Sequence, residues 1–275
     1  MARKSYLYTP EKWDRVIELK KEIVESCEVC GGSGYIPGSS KGKVTRCDCM
    51  IVYRYLKSLV RANIMSDYWN LSLTKMEIND EYKTIVKNYV QKMRMMRKKG
   101  NGLVFLGPNG VGKTSSMAVI GKEAIIRNYE VRYFTLANYV EAFTKQKDEV
   151  LEDIDRSDFV LLDELDKVYQ KSGSDYVLKT VDDFLRNCFN KSKSVLLATN
   201  WTKEELSENF GQSTVSLLNR RCLFVIMDGQ DYGRKIQGGL KRDINRFFED
   251  VDYMTPTIVE EAMRMESTFA ETYRG

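Results

Sequence analysis

The stretch LVFLGPNGVGKTSS, residues 103–116, restricts the fold more than any other part of the chain. A short apolar run leads into a glycine-rich turn, and a helical segment follows. The turn fits G-x-x-x-x-G-K-[ST], with Gly107, Gly112, Lys113 and Thr114 in place. Strand, loop and helix in that order make a phosphate-binding loop. Glycines let backbone N–H groups wrap phosphate oxygens, and the helix N-terminus adds a favourable dipole. The candidate nucleotide-binding residues are Gly107, Pro108, Asn109, Gly110, Val111, Gly112, Lys113, Thr114 and Ser115. Lys113 is expected to reach the β- and γ-phosphates of ATP, and Thr114 to ligate Mg2+.

From residue 102 the pattern alternates strand and helix. Strands are expected at 103–107, 131–135, 159–163, 194–199 and 223–227. Short apolar runs separated by helical segments argue for a parallel sheet buried on both faces. The third run, SDFVLLDELDK, ends in Asp163 and Glu164. Asp163 is the candidate second Mg2+ ligand, and Glu164 the candidate general base that polarises the attacking water. The fourth ends LLATNW, where a polar side chain can orient a water near the γ-phosphate. Asn200 is the first candidate and Thr199 the second.

The cysteines divide into two kinds. Cys27, Cys30, Cys47 and Cys49 form C-x2-C, sixteen residues, then C-x-C; Cys188 and Cys222 stand alone in apolar surroundings. No apolar run is long enough to span a membrane, and no apolar signal region follows the basic start, so a cytoplasmic chain is expected. There, clustered thiols point to metal rather than disulfides. Two thiol pairs on turns make a tetrahedral four-cysteine site for Zn2+, with an iron–sulfur cluster or unmetallated thiols as alternatives. Four thiolates leave no open coordination position, so the expected role is structural. The lone cysteines are expected to be inert buried thiols. The chain has no histidine, which excludes histidine acid–base chemistry, Ser-His or Cys-His pairs and histidine metal ligands. A net charge of +4 over 275 residues is compatible with nucleic acid without pointing to it.

Helical periodicity is expected over residues 9–26, from about 49 to 61, over 79–99 and over roughly 256–273; the last either packs on the core or extends to a partner. ANIMSDYWNLSL, residues 62–73, is a less regular bridge. The resulting division is a helical and zinc-binding domain (1–61), a linker (62–78), an ATPase domain (79–250) and a C-terminal helical tail (251–275). Lys167, Tyr169 and Lys171 lie in a loop that can touch single-stranded DNA by phosphate contact and stacking. Lys41, Lys43 and Arg46 give the cysteine segment a basic loop, suited to a protein partner or nucleic acid.

GPNGVGKT, LLDELDK, LLATNW and STVSLLNRR follow one another in the order and spacing of AAA+ ATPases. With ANIMSDYWNLSL upstream, residues 60–236 resemble the replicative helicase loaders of the DnaC/DnaI type found in bacteria and phages. The resemblance implies an α/β fold: an AAA+ P-loop NTPase with a five-stranded parallel sheet, preceded by a small helical/zinc-ribbon N-terminal domain. It also implies a homo-oligomeric ring or spiral in which one subunit's arginine reaches its neighbour's ATP. Arg220 matches that finger, with Arg221 adjacent, and Arg234 in DGQDYGRK matches a second sensor arginine that binds the nucleotide. The implied partners are a hexameric replicative DNA helicase, gripped through the zinc-bearing region, and single-stranded DNA, in a bacterial or phage-infected cell. Two rivals share these features. One is a transposition ATPase of the IstB type, and the other is a zinc-ribbon nucleic-acid-binding protein whose NTP site is a switch.

Overall fold

The computed structural model describes residues 10–38, 42–145, 148–167, 175–229, 231 and 252–272. At the N-terminus, α1 (Pro10–Lys20) runs into one π-helical turn (Lys21–Glu25). A two-stranded antiparallel ribbon follows, β1 (Tyr35–Pro37) and β2 (Val44–Arg46), with Tyr35 opposite Arg46. Then comes α2 (Asp48–Ala62), which ends on Asn63 in the left-handed conformation. α2 is amphipathic: Val52, Tyr55, Leu56 and Leu59 are fully buried on one stripe.

The bridge after α2 contains one 3-10 turn, Ser66–Tyr68. Its Trp69 is buried, and the indole Nε1 donates to the Ile64 carbonyl at 2.9 Å. The single helix expected over 79–99 is instead two. α3 (Asp80–Gln91) is capped by the Asn79 side chain, which accepts from the Glu81 amide at 3.0 Å. α4 (Met93–Lys99) follows after Lys92 leaves helical geometry at φ −97° and ψ 13°. No glycine or proline marks that break. α4 closes on Gly100 in the left-handed conformation, with Arg97, Lys98 and Lys99 in its last turn, as the helix dipole favours.

Residues 102–226 form a five-stranded parallel sheet with helices on both faces, as expected. Its strands are β3 (Gly102–Leu106), β4 (Val131–Thr135), β5 (Phe159–Asp163), β6 (Ser194–Thr199) and β7 (Cys222–Ile226). They lie in the spatial order β4-β5-β6-β3-β7. The connecting helices are α5 (Lys113–Ile126), α6 (Leu136–Thr144), α7 (Asp148–Arg156), α8 (Asp175–Asn190) and α9 (Lys203–Arg221), the last kinked at Gly211. β3, β5 and β6 are buried at every residue, whereas β7 is an edge strand that exposes Leu223 and Ile226.

Alternate residues along each strand enter two separate cores. Leu103, Phe105, Leu161, Leu196 and Ala198 pack with α1, α2, α3 and α5. Val104, Leu106, Leu162, Val195 and Leu197 pack with α6, α8 and α9. The C-terminal helix α10 (Pro256–Thr272) packs on α2 and α5, which answers where that helix goes. Tyr55 of α2, Lys122 of α5 and Glu261 of α10 meet there in the buried interior. Among the described residues no helix is long and apolar enough to cross a membrane.

Candidate nucleotide site and metal centre

Parallel strands bring their carboxyl ends to one edge of the sheet, and that edge carries the site. β6 lies between β3 and β5, so the ends bearing the glycine loop, Asn200 and Asp163 are neighbours. Gly107 has φ 140° and sits so close to β7 that an added Cβ would lie 1.9 Å from the Met227 carbonyl oxygen. Gly112 has φ 100°, and a Cβ there would meet Ile78 at 2.4 Å. Only glycine fits either position.

Lys113 is buried, with its Nζ donating to the carbonyls of Gly107 and Pro108, each at 2.6 Å, and to Asn200 Oδ1 at 2.9 Å. Burial pushes its ammonium pKa down, while Asp163 and Asp166 pull it up. Asp163 is buried and fully engaged. Its Oδ2 accepts from Thr114 Oγ1 at 2.7 Å and from the Tyr133 hydroxyl at 2.9 Å; its Oδ1 accepts from the Glu164 amide at 2.8 Å. Glu164 holds that amide in place with a left-handed backbone, φ 57°, uncommon for a non-glycine residue. Its half-exposed carboxylate is ion-paired with Lys167.

Asp166 organises the third element. Its Oδ1 accepts from the Asn200 amide at 2.9 Å and from Thr199 Oγ1 at 3.2 Å, and its Oδ2 accepts from Asn200 Nδ2 at 2.8 Å. These bonds turn Asn200 Oδ1 toward Lys113 and leave Thr199 buried behind it. Sequence reasoning passes over Asp166 and Tyr133. Asp166 stands two residues beyond Glu164, where a third acid after the strand is itself a signal; Tyr133 is hidden inside an apolar strand.

A cavity of about 410 Å³ opens on this edge. Its lining takes Lys113, Thr114, Asp163, Glu164 and Asn200 from the loop and strand ends, and Tyr68, Leu71, Met76 and Ile78 with Asp67, Lys75 and Glu77 from the bridge. The polar side fits phosphates and a divalent cation, with amide donors, an ammonium, a hydroxyl and a carboxylate within reach of one another. The apolar side chains of the bridge fit a base. The residues between α2 and α3 therefore form one wall of the cavity.

Arg220 and Arg221 do not line this cavity. They end α9 just before β7 begins, at the opposite edge of the sheet, roughly 16 Å away along a five-residue strand. Arg220 is exposed; its Nε donates to the Ser216 carbonyl at 3.4 Å, and Arg221 donates to the Lys99 carbonyl at 3.2 Å. Arg234, Tyr169, Lys171 and Lys41 lie outside the described residues. Cys188 and Cys222 are held in apolar surroundings; burial pushes each thiol up to about 12, as inert thiols require.

The other four cysteines converge. Cys27 and Cys30 follow the π-helical turn, Cys47 caps α2, and Cys49 lies in its first turn. All four Sγ atoms lie within 4.8 Å of one another, with Cys27–Cys47 at 3.9 Å and Cys30–Cys49 at 3.6 Å. Tetrahedral Zn–S bonds near 2.3 Å require sulfurs about 3.8 Å apart, so the donor set fits Zn2+. The Gly34 amide donates to Cys30 Sγ at 3.1 Å, an outer hydrogen bond that stabilises thiolate. The ribbon β1–β2 spans the two pairs and bears Lys43 and Arg46.

Residues 103–217 match the family model described as "ATPase family associated with various cellular activities (AAA)". The fold is similar to that of the DnaC helicase loader, at 20% identity and a TM-score of 0.52, over 60% of this chain and 100% of that one. It is similar to DnaI, at 16% identity and a TM-score of 0.51, over 61% of this chain and 93% of that one. It is also similar to the replication initiator DnaA bound to AMPPCP and single-stranded DNA, at 19% identity and a TM-score of 0.50, over 77% of this chain and 66% of that one. No curated protein matches the chain. At these identities the likeness is one of fold: residues 103–217 match the AAA model, and the five-stranded α/β sheet fits the AAA+ fold seen in DnaC and DnaI.

Proposed function

We propose that the chain is an ATP-hydrolysing loader of a replicative DNA helicase. The observation that carries the ATPase half is the meeting of Lys113, Thr114, Asp163 and Asn200 at the mouth of one cavity on an AAA+ sheet. In this reading the glycine-loop amides and Lys113 bind the β- and γ-phosphates. Thr114 and Asp163 hold Mg2+, which when bound neutralises phosphate charge. Glu164 takes the proton of the attacking water, and Asn200, oriented by Asp166, positions that water.

Arg220 acts on the neighbouring subunit's nucleotide in a homo-oligomer. Its place at the far edge of the sheet suits that role and no role at its own cavity. Arg221 is its understudy, and Arg234 is proposed as a second nucleotide-binding arginine. Residues 1–61 serve as the docking module for the hexameric helicase, with a structural Zn2+ on Cys27, Cys30, Cys47 and Cys49. Single-stranded DNA binds the ATPase domain 79–250, with Lys167 among its contacts. The fold shared with the DnaC helicase loader supports the loader half, together with a metal-ready module packed directly against the P-loop helix.

ATPase assays with and without single-stranded DNA, paired with pull-down on a replicative helicase, test the reading. Hydrolysis with helicase capture is expected. Capture at no nucleotide state, with hydrolysis intact, would leave an AAA+ ATPase of another trade, such as the transposition type.

A further inference from the structure

Lys122 is buried to 1% side-chain exposure on α5, two turns beyond the glycine loop, and the nucleotide site as described makes no use of it. Its Nζ donates to the carbonyls of Tyr68 at 3.2 Å, Trp69 at 2.5 Å and Leu71 at 2.6 Å. It also pairs with Glu261 Oε2 at 2.8 Å, and the Tyr55 hydroxyl donates to that same oxygen at 2.7 Å. An ammonium withdrawn from water is costly unless donors and charge are matched, and here both are. The segment's own backbone bonds are local turns, Tyr68 to Met65, Trp69 to Ser66 and Leu71 to Tyr68, so the Lys122 ammonium is what ties its carbonyls to α5.

That segment leads into the bridge wall of the cavity, where Tyr68, Leu71, Met76 and Ile78 stand among Asp67, Lys75 and Glu77. The polar side has donors enough for phosphates, which leaves Leu71, Met76 and Ile78 to face the base-bearing end of a nucleotide. We infer that Lys122 is a positioning residue for the nucleotide: it pins the 68–71 wall to the P-loop helix, with Glu261 of α10 as its counter-charge. The inference rests on the reading of this cavity as a nucleotide site. It makes the C-terminal helix part of that site without touching it, and it ties α2, through Tyr55, to the same carboxylate.

The test compares two ligands on the full chain with Mg2+ present: ATP, which needs both sides of the cavity, and inorganic tripolyphosphate, which needs only the glycine loop. Lys122→Met is expected to raise the Kd for ATP tenfold or more and to leave the Kd for tripolyphosphate within twofold. ATP binding within twofold of wild type, or parallel loss of both ligands, would overturn the positioning role. Should Lys122→Met fail to fold, Glu261→Gln preserves shape and removes the counter-charge. The same selective weakening of ATP is expected, and unchanged ATP binding counts against the inference. Wild-type chain that binds neither ligand would instead remove the nucleotide-site reading beneath it.

Discussion

Asp163 is where the site's chemistry is decided. Its oxygens accept from Thr114 of α5, from Tyr133 of β4 and from the adjoining Glu164 amide, which fixes the carboxylate plane relative to Thr114. Burial first, then the Asp163 charge, pushes the Tyr133 hydroxyl pKa well above its ordinary range, so it remains a donor at any working pH. Tyr133→Phe removes one donor without changing shape. A hydrogen bond to a charged acceptor contributes about 1.5–3 kcal/mol, so ATP turnover at limiting Mg2+ should fall roughly tenfold and recover in part as Mg2+ is raised. A Mg2+ dependence identical to wild type would mean Tyr133 does not orient Asp163. Glu164→Gln should cost about 10²-fold or more in turnover with nucleotide affinity kept, as loss of a general base does; equal turnover in the two proteins would take that role away from Glu164. Lys113, Thr114 and Asp163 are readable in the sequence because each is pinned to a motif whose spacing encodes a backbone path. Tyr133 is not, because one polar tip in an apolar strand looks like any core tyrosine until the sheet order sets it beside Asp163.

Among the elements, the ribbon and α10 behave differently. Among its described residues the segment from Cys27 to Cys49 has two three-residue strands and few buried apolar side chains besides the cysteines themselves, so on the proposed zinc reading metal binding supplies most of its folding free energy. Cys47→Ser should therefore lower bound zinc and make residues 27–49 protease-sensitive while the ATPase domain keeps its melting transition; full zinc content in the variant would argue against the four-cysteine site. α10 is held by charge as well as by packing. Glu123 of α5 accepts from Arg264 at 2.9 Å on both oxygens and is ion-paired with Arg127. Burial pushes its carboxyl pKa up, but the two arginines outweigh it and hold it below the usual 4.5. A depressed carboxyl stabilises the fold above its unfolded pKa and loses that contribution as pH falls through the folded value. The stability gap between wild type and Glu123→Gln should accordingly be widest near neutrality and close in acid below about 4.5; a gap independent of pH would contradict the pairing. The sequence shows that α10 is amphipathic, yet not what it covers. That answer depends on Glu123 and Arg264 meeting across 141 residues of chain. The break at Lys92 is equally hidden, since its side chain is an ordinary helix former.

For the whole molecule, the sheet separates two functions by its two edges. The carboxyl edge gathers the cavity, and the amino edge presents Arg220. On the proposed reading Arg220 acts in trans, on a neighbouring subunit's nucleotide. Arg220→Ala and Lys113→Ala should each be inactive alone, the first with nucleotide binding intact. Mixing them should restore a fraction of the turnover, because an intact cavity then meets an intact arginine. No recovery in any ratio would confine Arg220 to a structural role. At this scale the alternation of strand and helix is legible in the sequence, as is the five-strand sheet, because buried parallel strands write continuous apolar runs. The docking of α2, α10 and the bridge onto one helix, α5, is not, because it rests on contacts without a local pattern. On the loader reading proposed above, a partner held by residues 1–61 and a nucleotide held by the cavity would act on that shared core. Native mass measurement of the chain with a hexameric replicative helicase, with and without ATP and Mg2+, tests this most directly. The account predicts a complex carrying several copies of the chain, its stoichiometry or lifetime changed by ATP in wild type and unchanged by ATP in Lys113→Ala. A helicase that stays unbound under every condition would contradict it.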